Sequence, residues 1–239
     1  MILSITFLGA VYFSYAQNKS SSNFAVIELF TSQGCSSCPL ADKNLSEIIK
    51  KSGGKNIYGL SFHVDYWNYL GWKDPYSSKD FSDRQRRYGQ VFRTNRVYTP
   101  QMVVNGTQEF IGSSKSKGEK IINNALAQKK TQHILYVDSE VDEQKVNVKY
   151  QLSGELDQYV INFALVEKEI VTKVSRGENS RKTLTHDNVV RDFVISKGMK
   201  QGLVTLSIPE DAKYSNLSVI AYVQNHNSMT ITTAAESKF

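Results

Sequence analysis

The sequence predicts an α/β domain with a helical insertion, followed by an all-β domain of antiparallel, sandwich-like character. Up to about residue 130, short apolar runs alternate with segments of helical spacing. Beyond that point, roughly seven short strand patterns follow one another without intervening helices. The 239 residues are 40% hydrophobic and 22% charged, which is ordinary for a globular protein and excludes collagen and long disorder.

The N-terminus predicts export from the cytoplasm. Residues 1–16 are apolar and uncharged and end in Ser14-Tyr15-Ala16, a small-x-small pattern suited to signal-peptide cleavage. Residues 17–23 form a polar, serine-rich linker. An uncleaved membrane anchor is the alternative, although 16 residues are fewer than the ~20 that a spanning helix needs. We therefore expect a periplasmic or secreted protein without stable membrane insertion after cleavage, in an oxidising compartment.

The first predicted domain comprises residues 24–130. An apolar strand at 25–30 leads to Cys35-Ser36-Ser37-Cys38-Pro39, which opens a helix, because proline is tolerated in the first helical turn. A second strand occupies residues 57–64, and the aromatic, charged segment 65–96 is predicted to be helical in part. Asn105-Gly106 suits the tight turn of a hairpin, and a helix follows at 117–130. The first helix supplies the crossover that two parallel strands require.

The second predicted domain comprises residues 131–239. Its pattern consists of short strands separated by polar or glycine-containing turns, as in an antiparallel sandwich. The predicted strands cover residues 133–137, 145–152, 159–166, 189–195, 203–208, 217–223 and 229–233.

Cys35 and Cys38 are the only cysteines of the chain, and they stand three positions apart at a predicted helix start. Unpaired backbone N–H groups and the positive end of the helix dipole both favour a thiolate there. A thiolate is the nucleophile of thiol–disulfide exchange, and a second cysteine resolves the mixed disulfide. We expect Cys35, nearer the loop, to be the accessible attacking residue and Cys38 to resolve.

Two other interpretations of the cysteine pair remain open. A carrier of Cu(I) or another soft metal could combine both cysteines with His63, although no second pair completes a four-ligand zinc site. A binding module could hold the pair as a static disulfide, although closing so short a loop stabilises little. No resident cofactor is expected.

Further along, Thr99-Pro100 precedes the predicted hairpin. The conjunction of CxxC, proline and hairpin resembles the thioredoxin superfamily, in which a cis-proline at this place lies beside the CxxC and presents backbone to substrate. More closely, the chain resembles a family of secreted thioredoxin-like proteins known as domain of unknown function 1223. The matching stretches are 28–39, 63–67, 71–75, 98–101, 176–179 and 183–186, with Leu40 standing where a second proline is expected. The resemblance implies a thioredoxin-like fold for residues 24–130 and no particular substrate.

Three further residues have candidate roles, each with a structural alternative. Glu28 could accept a proton from Cys38 if its carboxyl is buried, or could be an exposed strand-edge residue. His63 could move a proton or stabilise a thiolate, or could be a hydrogen-bonded structural histidine. Trp67, in an aromatic cluster that extends to Trp72, could line a substrate groove together with Thr99 and Pro100, or could belong to the core.

The predicted function is thiol–disulfide exchange with protein or peptide thiols, supported by a redox partner. Five arginines between residues 84 and 96 are interpreted mainly as a solvated helix face, and no nucleic-acid-binding motif accompanies them, so nucleic acid is not an expected partner. The polar loops of the second domain receive no catalytic role. Oxidase, reductase and isomerase activities are not distinguished.

Overall fold

The computed structural model describes residues 18–53, 56–94, 96–130 and 132–239, so the predicted signal peptide lies outside the described residues. Strands dominate, with few helices. The helices are α1 (Cys38–Ser52), α2 (Lys79–Val91) and α3 (Lys115–Ala127), with short 3-10 turns at Asn68–Leu70 and Tyr214–Asn216. The strands are β1 (Asn18–Lys19), β2 (Ala25–Thr31), β3 (Ile57–His63), β4 (Gln101–Val104), β5 (Gln108–Ile111), β6 (Ile134–Asp142), β7 (Lys145–Ser153), β8 (Tyr159–Glu167), β9 (Ile170–Lys173), β10 (Thr183–His186), β11 (Val189–Lys197), β12 (Gln201–Ser207), β13 (Leu217–Asn225) and β14 (Ile231–Ser237).

A mixed eight-stranded sheet runs through the molecule in the order β14-β13-β8-β11-β3-β2-β4-β5. Strands β2 and β3 are parallel and are joined through α1, whereas β4 and β5 are antiparallel to their neighbours. Val189 of β11 pairs in parallel with Ser61 of β3. The N-terminal α/β region and the β-rich C-terminal region therefore share one sheet, which continues across the predicted boundary at residues 130 and 131.

A second sheet, in the order β1-β6-β7-β12, lies against the β-rich end of the first. The apolar side chains of both sheets meet in one core, which includes Leu135 and Val148 from one side and Phe163 and Val219 from the other. Strand β1 lies inside the predicted linker 17–23, where it pairs with β6. The linker prediction thus missed a short strand that ties the N-terminal segment to the C-terminal region.

A separate two-stranded hairpin, β9–β10, was also not predicted. It packs beside α1, on the face of the large sheet that carries that helix. Its strands are only four residues each, and the connection between them, residues 174–182, is polar. We call residues 174–182 the cover loop, because they lie over the cysteine pair.

Strand β2 is buried on both faces, and its alternating side chains divide between two cores. Ile27 and Leu29 face α1 and α3, whereas Val26 and Phe30 face α2. The helix-flanked centre of the sheet explains why this strand reads as a continuous apolar run rather than as an alternating one.

The predicted tight turn between β4 and β5 is confirmed. Asn105 and Gly106 have φ values of 48° and 66°, both in the left-handed region that this type of turn requires. The Asn105 side chain accepts a hydrogen bond from Val26 N at 2.8 Å, which fixes the turn to the edge of β2. Within the described residues, no helix is both long enough and apolar enough to cross a membrane.

Candidate functional site

The two cysteines lie at the N-terminus of α1, as the sequence predicts. Cys38 is the first helical residue, Ser37 precedes it as the N-cap, and Cys35 is bonded to Cys38 in a disulfide. No carboxylate stands in the first turn to oppose the helix dipole. After reduction, the positive end of the helix dipole would therefore favour a thiolate at this end of α1.

The disulfide is covered. Cys35 and Cys38 are both 0% exposed, whereas Ser36 and Ser37 between them are exposed. The predicted accessibility of Cys35 is therefore wrong for the disulfide form. The reason is a polar segment of the β-rich region that the sequence did not place near the pair.

The cover loop accounts for part of this burial. Asn179 is buried, and its side-chain amide donates hydrogen bonds to the backbone oxygens of Gln33 at 3.0 Å and Cys35 at 2.9 Å. Glu178 accepts a hydrogen bond from Ser36 N at 2.9 Å, and hydrogen bonding to the side chain and backbone of Ser36 lowers the pKa of the Glu178 carboxyl. The loop between β9 and β10 therefore holds the backbone of the CxxC segment through three hydrogen bonds.

Trp67 covers the segment from another direction. A Cβ atom added to Gly34 would lie 3.1 Å from the Trp67 Cβ, so this tryptophan is in contact with the backbone that precedes Cys35. The Trp67 indole N–H donates to the Thr99 hydroxyl at 2.8 Å. Trp67 and Thr99, both predicted to bind substrate, are thus brought together beside the CxxC segment.

Pro100 also lies at this end of the sheet. The Thr99–Pro100 peptide bond is cis. Gly112 N donates to the Pro100 oxygen at 2.8 Å, and the Cβ position of Gly112 is only 2.9 Å from the Ala41 Cβ of α1. Gly112 therefore lies between Pro100 and the first turn of the helix that carries the cysteines.

Glu28 lies elsewhere. It shares the face of β2 that packs on α2, opposite α1, and its carboxylate accepts from Arg84 Nη2 at 2.6 Å and from the Tyr222 hydroxyl at 2.5 Å. Burial lowers the pKa of Arg84, but the charge and hydrogen bond of Glu28 together with Tyr222 and Tyr88 outweigh burial, so the pKa is raised. Of the two alternatives for Glu28, the buried one holds, but the carboxylate lies on the face of β2 opposite α1, where it forms an ion pair with Arg84. Arg84 is likewise not part of a solvated face.

His63 ends β3 in a fully buried position. Its Nδ1 atom lies 2.7 Å from an Asp74 carboxylate oxygen. Burial lowers the pKa of His63, but the charge and hydrogen bond of Asp74, aided by the charge of Asp42, outweigh it, so the pKa is raised. The His63 Nε2 atom has no hydrogen-bond partner among the described residues.

Gln33 connects this histidine to the CxxC segment. Its backbone N–H donates to the same Asp74 oxygen at 2.8 Å, and its side-chain oxygen accepts from the Trp72 indole at 3.1 Å. Since an indole N–H can only donate, the amide NH₂ of Gln33 must face Thr172 at 3.0 Å and His186 Nε2 at 3.4 Å. With the amide in this orientation, a neutral His186 ring would accept at Nε2 and carry its proton on Nδ1.

The Nδ1 atom of His186 faces Asp42, and neither this nitrogen nor the Asp42 Oδ1 atom has a hydrogen-bond partner among the described residues. The distance from this nitrogen to the Asp42 Oδ1 atom is 3.5 Å, and the His186 ring lies 4.8 Å from the His63 ring in an edge-to-face arrangement. The other Asp42 oxygen accepts from the Thr31 hydroxyl at 3.2 Å. Two imidazole–carboxylate pairs are thus buried together beneath the CxxC helix.

The sequence reasoning missed most of this network. Asp42 could have been found, because it stands one helical turn after Cys38 and so shares its face. Asp74, Asn179 and His186 occur in the stretches that carry the family resemblance, yet no spacing rule links them to the cysteines. Only the folded sheet brings His186 to α1.

The described residues contain no group of three or more His, Cys, Asp or Glu side chains arranged to hold a metal ion. His63 directs Nδ1 to Asp74 rather than to sulfur. The copper-carrier interpretation therefore gains no support from the geometry.

Fold and site together define a mixed α/β protein with a covered CxxC disulfide at a helix N-terminus. The chain belongs to the DUF1223 family of proteins of unknown function, whose profile matches residues 26–224. No curated protein matches it.

Among solved structures, the chain is similar to a crystal structure of an Agrobacterium tumefaciens protein from a structural genomics consortium. The identity is 28% and the TM-score 0.66, over 89% of this chain and 92% of that one. Weaker similarities are to a domain of the outer membrane lipoprotein Omp28 from Porphyromonas gingivalis and to a DUF3823 family protein from Bacteroides ovatus. Their identities are 14% and 11% and their TM-scores 0.30 and 0.28; each covers 46% of this chain, and 88% and 57% of the respective structure. These two scores are too low to carry an argument.

Proposed function

We propose that this protein is an extracytoplasmic thiol–disulfide oxidoreductase that acts on protein or peptide thiols through Cys35 and Cys38. The observation that carries the proposal is the position of the cysteine pair. It lies at the first turn of α1, with Thr99 and Pro100 at the same end of the sheet.

The order of elements supports a thioredoxin-like N-terminal region. Parallel β2 and β3 are linked through α1, the antiparallel hairpin β4–β5 follows, and α3 completes the region. Residues 24–130 on this proposal form the thioredoxin-like part and residues 131–239 the sandwich-like part. The cysteine helix then leaves the sheet at the C-terminal end of a parallel strand, where active sites of such sheets lie.

The proposed chemistry needs no cofactor beyond the two sulfur atoms. In the reduced protein, the Cys35 thiolate attacks a substrate disulfide and expels one substrate thiolate, which leaves a mixed disulfide. Cys38 then attacks the Cys35 sulfur, forms the Cys35–Cys38 disulfide and expels the second substrate thiolate. Two electrons pass from the cysteine pair to the substrate, and a redox partner returns them; the reverse sequence oxidises a dithiol substrate.

The surface around the covered pair suits a polypeptide substrate. Leu40 is 55% exposed and Ile111 is 56% exposed. These two residues are chain neighbours of Ala41 and Gly112, and a Cβ atom added to Gly112 would lie 2.9 Å from the Ala41 Cβ, so both residues belong to the region where α1 meets the end of β5. Exposed apolar side chains beside the disulfide would hold an extended, partly apolar segment.

A pair of cysteine variants tests this function. Cys38→Ser is expected to retain a mixed disulfide with a peptide disulfide, detected as a covalent adduct by mass spectrometry. Cys35→Ser, the matched control at the other position, is expected to form none and to have no exchange activity. Full exchange activity of Cys35→Ser would contradict the proposal.

The complete burial of the pair favours a second candidate, a binding module whose disulfide is static. In that case the reduction potential should lie below about −300 mV and Cys38→Ser should capture no substrate. A potential between about −120 and −270 mV together with adduct formation would instead support exchange.

The extracytoplasmic location rests on the predicted signal peptide, residues 1–16, and on the compartment in which disulfides persist. Expression of the full chain followed by cell fractionation tests it. The mature protein should begin at Gln17 and be released with the periplasmic or secreted fraction.

A further inference from the structure

Asp42 differs from the other buried carboxylate of the imidazole network. Both oxygens of Asp74 have protein partners: one accepts from Gln33 N and faces His63 Nδ1, and the other accepts from Tyr76 N at 3.0 Å. Asp42 is buried, yet its Oδ1 atom has no hydrogen-bond partner among the described residues. A buried carboxylate oxygen with a free lone pair can receive a proton.

Asp42 lies on the face of α1 that bears Cys38. Residues four apart in an α-helix are neighbours with Cβ atoms about 5–6 Å apart, and a helical side chain leans toward the turn before it. Asp42 therefore leans toward Cys38, and both are buried. Asp42 lies on the same side of the sheet as Cys38, whereas Glu28 lies on the opposite side.

We propose that Asp42 is the buried base that accepts the Cys38 proton when the mixed disulfide is resolved, and that His186 of the β-rich region positions the Asp42 carboxylate. This inference rests on the proposed exchange function. The Cys38 thiol gives its proton to Asp42, the resulting thiolate attacks the Cys35 sulfur, and the expelled substrate thiolate takes a proton from solvent.

His186 suits a positioning role because both of its ring nitrogens face groups of the network. The Gln33 amide nitrogen lies 3.4 Å from Nε2, and Nδ1 faces Asp42 Oδ1 at 3.5 Å. Thr31 holds the second Asp42 oxygen from β2. The His186–Asp42 contact of 3.5 Å is an ion-pair distance, and a carboxylate oxygen has two lone pairs, so Oδ1 keeps a lone pair for the Cys38 proton while it faces His186.

Several titratable or charged groups on other elements lie close to this pair. His63 on β3 lies against His186, and Asp74 holds His63 from the loop before α2. Arg191 on β11 acts on His63 through its charge. Lys50, later on α1, pairs with Asp187 beside His186 at 3.8 Å.

The first test measures whether the Asp42 carboxylate and the Cys38 thiol are neighbours, and it does not require exchange activity. Cys35→Ser contains one cysteine, whose ionisation is followed by thiolate absorbance. A carboxylate near Cys38 disfavours the thiolate, so adding Asp42→Asn should lower the titration midpoint by about one pH unit or more. Glu28→Gln, which removes a buried carboxylate on the opposite face, is the matched control and should leave the midpoint unchanged. Equal midpoints with and without Asp42 would overturn the inference.

The same coupling can be measured without replacing Asp42. In the wild-type protein, the carboxyl carbon of Asp42 should titrate at a different pH in the reduced and disulfide forms, as observed by ¹³C NMR. An identical Asp42 titration in both forms would contradict the proposed proton transfer, whatever the fate of the Asp42→Asn variant.

The second test measures resolution with oxidised glutathione as the probe. Asp42→Asn should accumulate the Cys35–glutathione adduct because resolution slows by at least about tenfold near neutral pH, with the deficit shrinking as the pH approaches that of free thiol ionisation. His186→Asn should shift this pH profile in the same direction. A lower melting temperature with an unchanged profile would make His186 purely structural. Failure of Cys38→Ser to capture any thiol would refute the exchange function alone, since the titration result does not depend on it.

Discussion

Asn179 holds the cover loop to the CxxC segment, and its removal should expose the disulfide. Asn179→Ala deletes two hydrogen bonds to backbone oxygens, those of Gln33 and Cys35. At a net contribution of about 1 kcal/mol per bond, the closed arrangement loses about 2 kcal/mol relative to an open one. If opening precedes attack, this loss raises the open population, and with it the rate of disulfide reduction, by about thirtyfold.

The assay is reduction by excess dithiothreitol, stopped by alkylation and read by mass spectrometry. Ser180→Ala is the matched control, because Ser180 is the next residue of the same loop and is exposed. Its hydroxyl donates a hydrogen bond to Ser175 O, which lies within the same loop. The control should reduce at the wild-type rate. A folded Asn179→Ala protein that also reduces within about twofold of wild type would refute the idea that this loop limits access.

Two further predictions concern the buried ionic groups. Arg84→Met should lower the free energy of unfolding by about 3–5 kcal/mol because it leaves Glu28 charged and buried without its partner, and Glu28→Gln in the same chain should restore part of the loss. A double-mutant cycle in urea with no coupling would contradict this pairing. For His63, the raised pKa means that protonation stabilises the folded state. The advantage of wild type over His63→Gln should be complete below about pH 6.5 and disappear as the pH rises through the raised value. If the stability advantage of wild type grew with pH, folding would lower the pKa of His63, and the prediction would be wrong.

The sequence was sufficient for the elements whose signals are local. The apolar run before Cys35, the Asn105-Gly106 turn and the helix-opening Cys38-Pro39 each depend on neighbouring residues, and each is confirmed. The family resemblance is also confirmed by the profile match over residues 26–224. These features need no knowledge of which strands pair.

Non-local pairing could not be predicted. The parallel contact between β3 and β11 joins residues that are far apart in the chain, and nothing in either strand specifies the other. The short β9–β10 hairpin, with four residues in each strand, gives too weak an alternation to be recognised. Asn179 and His186 belong to that hairpin and its loop, so their role near the cysteines was invisible in the sequence.

These pairings bear on which part of the chain forms the candidate redox site. Asn179 and Glu178 bind the backbone around the cysteine pair, and His186 faces Asp42 from the same hairpin and its loop. The β-rich region thus contributes both the covering contacts and a buried imidazole. Because covering and proton transfer depend on one short hairpin, displacement of that hairpin by a substrate would expose Cys35 and alter the surroundings of Asp42 in a single step. Access to the sulfur and the proton affinity of the base would then be coupled.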